Sequence, residues 1–178
     1  MFITTKTGDL GETSIFGGKR VKKFDLQIEA LGQVDELSSL ISVVVNYLKK
    51  DEEINLFYEI QKRLYQINSF LSGSKINKKK NIEELTSHLK KIEQEIEFLS
   101  QKLPNLNRFI LPSGGLTSSF LHYLRTVCRR VERRVVFFLY QKKWQKKYQV
   151  IIQYLNRLSD LFFVLARIYT KENKFYYN

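Results

Sequence analysis

Apolar residues return every three or four positions along most of the chain, the spacing that lines one face of a helix. Leu31, Val34, Leu37, Ile41 and Val44 mark a first helix, opening at Gln27 and running to about Lys50. Asp51 is a candidate N-cap for a second, with Phe57, Ile60, Leu64, Ile67 and Leu71 as its stripe and Gly73-Ser74 as its end. After a polar linker at 75–81, Ile82, Leu85, Leu89, Ile92, Ile96 and Leu99 predict a third helix that stops before Pro104. Residues 104–115 break the pattern, with Pro112 and Gly114-Gly115 as punctuation. Phe120, Leu124, Val127, Val131 and Val135 predict a fourth helix. Beyond a basic turn at 141–148, Ile151, Leu155, Leu158, Phe162 and Leu165 predict a fifth, from Val150 to about Tyr169. The expected fold is all-α, a five-helix antiparallel bundle. It forms one domain over 1–178, with an arm at 1–26 and the bundle at 27–171.

The arm is the exception to the periodicity. It holds Gly8, Gly11, Gly17 and Gly18 and several threonines, and reads as an ordered loop with a short hairpin. Thr5, Lys6, Thr7, Gly8, Thr13, Ser14 and Lys23 combine close backbone approach, hydroxyl donors and positive charge, a set suited to phosphate. No Walker A pattern occurs. Taken alone, the segment reads first as a turn-rich arm that packs on the bundle, and phosphate binding comes second.

Composition sharpens the picture in two places. The formal net charge of +12 favours a polyanionic partner. The single cysteine, Cys128, excludes an internal disulfide and suits a reducing compartment; its apolar neighbours predict a buried thiol. No apolar run has the roughly 20 residues of a membrane span. No signal peptide is visible, and the cytoplasm is the expected location.

The sharpest chemistry lies on the fourth helix. Arg125, Arg129 and Arg133 share a face at i, i+4 and i+8, with Arg130 and Arg134 beside them and Glu132 as the one acid. Arginines so crowded need a negative partner, and their forked donors match phosphate. A solvated basic face or an RNA-binding patch would show the same residues. On the fifth helix Asn156, Ser159 and Asp160 fall close together, and Asp160 is placed to pair with an arginine. His88 and His122 are isolated from each other and from cysteine, which excludes a zinc site of the usual spacing. Asp35 and Glu36 are adjacent and cannot face each other across a helix, so a carboxylate-pair mechanism does not fit.

Five segments together resemble the propanediol-utilisation type of ATP:cob(I)alamin adenosyltransferase: TKTGDLGETSIFGGKRVKKFD, EALGQVDELSS, RFILPSGG, RTVCRRVERRVV and YLNRLSDLFFVLAR, in that order from Thr5 to Arg167. The resemblance implies a homotrimer with active sites between subunits, acting on ATP with Mg²⁺ and on cob(I)alamin. It places ATP contacts on Thr5, Lys6, Thr7, Gly8, Thr13, Ser14 and Lys23, on Arg129, Arg130, Val131, Glu132 and Arg133, and on Asn156. It makes Asp35 and Arg125 an intersubunit salt bridge beside the corrinoid, and Phe109 an aromatic crowding the lower face of cobalt. It also implies a corrinoid reductase and an adenosylcobalamin-dependent mutase as partners, with neither nucleic acid nor membrane. A catalytically degenerate sensor or corrinoid chaperone is the alternative. Gln27, Leu31, Gln33 and Ser113 depart from the residues frequent in the family at those positions.

Overall fold

The computed structural model describes residues 4–74, 78–143 and 146–170. A hairpin of β1 (Glu12–Ser14) and β2 (Arg20–Lys22) precedes α1 (Leu26–Val45), α2 (Asp51–Leu71), α3 (Lys78–Ser100), α4 (Leu116–Gln141) and α5 (Gln149–Ile168). The strands are antiparallel, with Thr13 opposite Val21. Gly17 and Gly18 close their turn at φ +87° and +80°, a region costly for any residue with a Cβ.

Helix ends differ from the periodic reading where no apolar residue marks them. Asp25 caps α1, its carboxylate accepting from the Gln27 backbone at 2.7 Å. That helix stops at Val45, because Leu48 turns back into the core. Asp51 is not a cap: Lys50 holds that position without a side-chain bond, and Asp51, Glu52 and Glu53 fill the first turn of α2. Carboxylates there offset the positive end of the helix dipole. α3 opens at Lys78, inside the expected linker, through a solvated turn in which Lys79–Glu83 and Lys80–Glu84 pair at i, i+4. Residues 75–77 of that linker, and 144–145 of the basic turn, lie outside the described residues.

Across the bundle, α1 packs between α2 and α4, α4 packs on α5, and α5 packs on α3. Phe57 and Phe162 meet in the core with ring centroids 5.7 Å apart. Two buried polar side chains are matched across helices. His88 Nδ1 bonds the Tyr154 hydroxyl at 2.9 Å, and the Cys128 thiol donates to the Leu155 carbonyl at 3.2 Å. Burial pushes that thiol's pKa far up, so Cys128 is an inert core residue. Among the described residues no helix is long and apolar enough to cross a membrane.

Candidate functional site

The arginine run divides by helical geometry. Arg130 and Arg134 point to α1: Arg130 bonds Gln33 at 2.9 Å and pairs with Glu36 at 2.5 Å, and Arg134 lies 3.7 Å from Glu29. Val131 is fully buried, so its side chain is core. Arg125 and Arg129 turn to the α5 side, and Arg133 is exposed one turn on. Arg133 braces the Arg129 carbonyl at 3.1 Å, and the Arg125 guanidinium lies 5.9 Å from the Phe163 ring centroid. Burial, reinforced by Arg129, lowers the Arg125 pKa, which still leaves a guanidinium charged. The five-arginine face of a simple RNA-binding helix is therefore not what the chain presents: two of the five are neutralised internally.

Two hollows open along the remaining face. One, of about 450 Å³, is lined by Phe109, His122, Arg125, Arg129, Asp160 and Phe163 among others. The other, of about 400 Å³, is lined by Arg129, Glu132, Arg133, Val136, Phe137 and Tyr140. Arg129 belongs to both. The first is aromatic and large enough to take part of a flat macrocycle; the second sets two guanidiniums and one carboxylate beside an apolar wall. Asn156 ties α5 to this face, donating to Glu132 at 3.3 Å and accepting from Arg157 at 2.6 Å. Asp160 pairs with Arg157 at 3.4 Å, as its position on α5 predicted. Phe109 is 89% exposed at the rim, on the irregular segment between α3 and α4. That segment is anchored at Gly114, where an added Cβ would lie 2.4 Å from Thr170 Oγ1 and where φ is +107°.

The arm forms its own polar nest. Thr5 and Thr7 share a hydroxyl bond of 2.9 Å, and Arg20 donates to the Thr7 carbonyl at 2.6 Å and to Ser14 at 3.4 Å. Lys23 folds over Gly8, its Nζ 3.2 Å from where a Cβ would stand. Lys6 takes φ +56°, a left-handed turn beside these groups. Thr5, Lys6, Thr7, Ser14 and Lys23 are exposed, and Gly8 and Thr13 half-buried. Phe16, at the hairpin tip, lines a hollow with Tyr65 and Asn68 of α2. Among the described residues no hydrogen bond or ion pair joins residues 4–23 to α4 or α5. Asp35 is exposed on α1 and makes no ion pair among the described residues. One chain thus brings together Phe109, Arg125, Arg129, Glu132, Arg133 and Asn156, and holds the arm and Asp35 elsewhere. No cluster of three or more metal-ligating side chains occurs among the described residues.

Gln27 and Gln33 take up positions inside the chain. Gln27 donates to the Leu71 carbonyl at 2.6 Å, tying α1 to the end of α2, and Gln33 receives Arg130. The residue the sequence did not single out as functional is His122, which lines the Phe109 hollow with both ring nitrogens buried and unpartnered. Its position three residues before Arg125 was the available signal, since i, i+3 residues share a face.

These features define a helical-bundle protein that presents guanidiniums for a polyanion beside an aromatic cavity. The family described as Cobalamin adenosyltransferase matches residues 3–169. The chain is 39% identical over 177 residues to the corrinoid adenosyltransferase MMAB of Bos taurus, spanning 93% of this chain and 70% of that protein. It is 35% identical over 172 residues to the corrinoid adenosyltransferase of Bacillus subtilis, spanning 94% and 86%. Among solved structures, a phenylalanine-to-alanine variant of the PduO-type ATP:corrinoid adenosyltransferase from Lactobacillus reuteri, complexed with cobalamin and ATP, superposes with TM-score 0.85. It has 29% identity and covers 99% of this chain and all of that one. The chain belongs to the cobalamin adenosyltransferase family.

Proposed function

We propose that this chain transfers the 5′-deoxyadenosyl group of ATP to the cobalt of a reduced corrinoid, giving the adenosylcorrinoid and inorganic triphosphate. The observation that carries the reading is the place of Arg129, which lines the aromatic hollow and the arginine hollow at once. A side chain so placed touches the reacting pair from both sides.

The chemistry asks little of protein nucleophiles. The electron pair on cob(I)alamin attacks C5′ of ATP, the C5′–O bond breaks, and its electrons leave on the triphosphate. The chain has to align the two reactants and receive the charge that develops on the leaving group. Arg129 and Arg133 supply donors on α4, Asn156 and Glu132 fix the nucleotide edge of the site, and Thr5, Lys6, Thr7, Gly8, Thr13, Ser14 and Lys23 wrap the phosphates from the arm. Of the stretch 129–133, Arg130 and Val131 act structurally, through α1 and the core. Mg²⁺ carried in with ATP would add positive charge beside Arg129 and Arg133 where the leaving triphosphate forms.

Phe109 reaches over the aromatic hollow and excludes a lower ligand from cobalt, which makes the metal easier to reduce. Separation of arm from arginine face within one chain supports a closed homotrimer in which the arm of one copy meets α4 of the next, and in which Asp35 pairs with Arg125 across the joint. A corrinoid reductase upstream and an adenosylcobalamin-dependent mutase downstream complete the cycle. A cytoplasmic setting suits the lone buried thiol.

Mixing variants tests the role and the assembly together. Arg129→Ala and Lys23→Ala should each slow transfer on the order of 100-fold while remaining folded. Co-refolded in equal amounts, they should regain roughly a quarter of native activity, the chance that an intact arm meets an intact α4. A native rate in Arg129→Ala rejects the triphosphate role. A mixture no better than its components rejects a site shared between copies.

A further inference from the structure

Two histidines are buried in this bundle, and only one has a partner. His88 bonds Tyr154; His122, 3% exposed, has both Nδ1 and Nε2 buried without one. Arg125, one turn further along the same face of α4, carries an equally unpartnered Nε. Both side chains rest on Phe163: the imidazole packs edge-on with ring centroids 6.1 Å apart, and the guanidinium lies 5.9 Å from the Phe163 centroid. Both line the Phe109 hollow. Unsatisfied buried polar atoms are rare, and each costs about 1–3 kcal/mol. Three of them beside one cavity mark hydrogen-bonding capacity reserved for a guest.

The chemistry of that guest follows from the groups. Burial, with Arg125 second, lowers the His122 pKa, so the ring is neutral and offers one donor and one acceptor. Arg125 Nε adds a donor. A primary carboxamide answers both, its oxygen accepting and its amino group donating. Corrinoids carry such carboxamides around the macrocycle rim.

Resting on the function proposed above, we infer that His122, with Arg125 Nε beside it, is a specificity-determining contact for a peripheral carboxamide of the corrinoid. Because both ring nitrogens are buried in the free chain, the contact requires Phe109, 89% exposed at the rim, to give way while Gly114 stays fixed. ATP is not its ligand.

The test compares His122→Phe and His122→Gln with the native enzyme. Phenylalanine keeps the aromatic edge against Phe163 and deletes both unpartnered nitrogens, so the ligand-free protein should melt at or above the native temperature. Its KM for cob(I)alamin should rise on the order of 10-fold, about 1.4 kcal/mol, with KM for ATP unchanged. Glutamine, which keeps a donor and an acceptor, should hold the corrinoid KM near native. A corrinoid whose carboxamides are converted to methyl esters, which keep the accepting oxygen and lose the N–H donor, should narrow the gap between the native and His122→Phe values. An unchanged corrinoid KM in His122→Phe overturns the assignment, as does a rise in the ATP KM instead. Loss of thermal stability in both variants would show His122 to be structural and overturn it too. A native enzyme that forms no adenosylcorrinoid at all would sink the function itself, a failure separate from any difference between variants.

Discussion

His88 and His122 occupy similar buried positions with opposite consequences. The Tyr154 hydroxyl makes His88 part of the scaffold joining α3 to α5. Burial, then Arg63, lower its pKa from 6.5 to about 4, with Lys91 adding and Glu59 opposing. Between those two values the unfolded chain takes up a proton that the folded chain refuses. Stability therefore rises with pH across that window and is lost as pH falls from 6.5 toward 4. His122, lowered in the same direction, adds to it. Glu59, held low chiefly by Lys62, and Glu84, held low chiefly by Gln66 and Arg63, contribute their loss only in the carboxylate range below. Urea midpoints measured at intervals from neutrality to pH 4 should fall, and His88→Gln, which can still bond Tyr154, should flatten the curve. A flat native curve would contradict the buried neutral imidazole. Sequence marked His88 and His122 as isolated from each other and from cysteine. It did not separate their roles, because that depends on Tyr154 and Phe163, which come from another helix.

The helices themselves were legible wherever an apolar stripe reached the core: every stripe residue from Val34 to Val44, and from Phe57 to Leu71, is buried. Their ends were not, since solvated turns carry no stripe. The start of α3 at Lys78 and the true place of Asp51 inside α2 are of that kind. The arginines show the same limit. Five on one helix were visible at once, but which two would be neutralised depended on Glu29 and Glu36 of α1 lying alongside. The segment between α3 and α4 is held by a contact equally invisible in sequence, the approach of Gly114 to Thr170, whose hydroxyl also bonds Ser118 at 2.7 Å. Gly114→Ala must relieve both a positive φ and a clash with a buried-side threonine, at a cost on the order of 1–3 kcal/mol. A thermal melt should drop by several degrees. An unchanged melt would show that this segment can be rebuilt freely, and would remove the rigid anchor assigned to the Phe109 loop.

The order α2, α1, α4, α5, α3 leaves the arm beside α2 and the open arginines beside α5. That layout is what makes a lone copy an incomplete enzyme in the proposed account, and periodicity alone had no means of showing it, since core and subunit interface share one pattern. The motifs did identify the family, because five short segments in fixed order specify more than any one of them. The central claim concerns the reaction. Chemically reduced cob(I)alamin, ATP and Mg²⁺ are mixed with the protein under anaerobic conditions, and loss of the cob(I)alamin absorption is followed to a light-sensitive product. The account predicts adenosylcobalamin and triphosphate in equal amounts, formed only when both ATP and protein are present. A folded protein that binds ATP and leaves cob(I)alamin unchanged would contradict it, and would make the chain a sensor or chaperone for the same ligands.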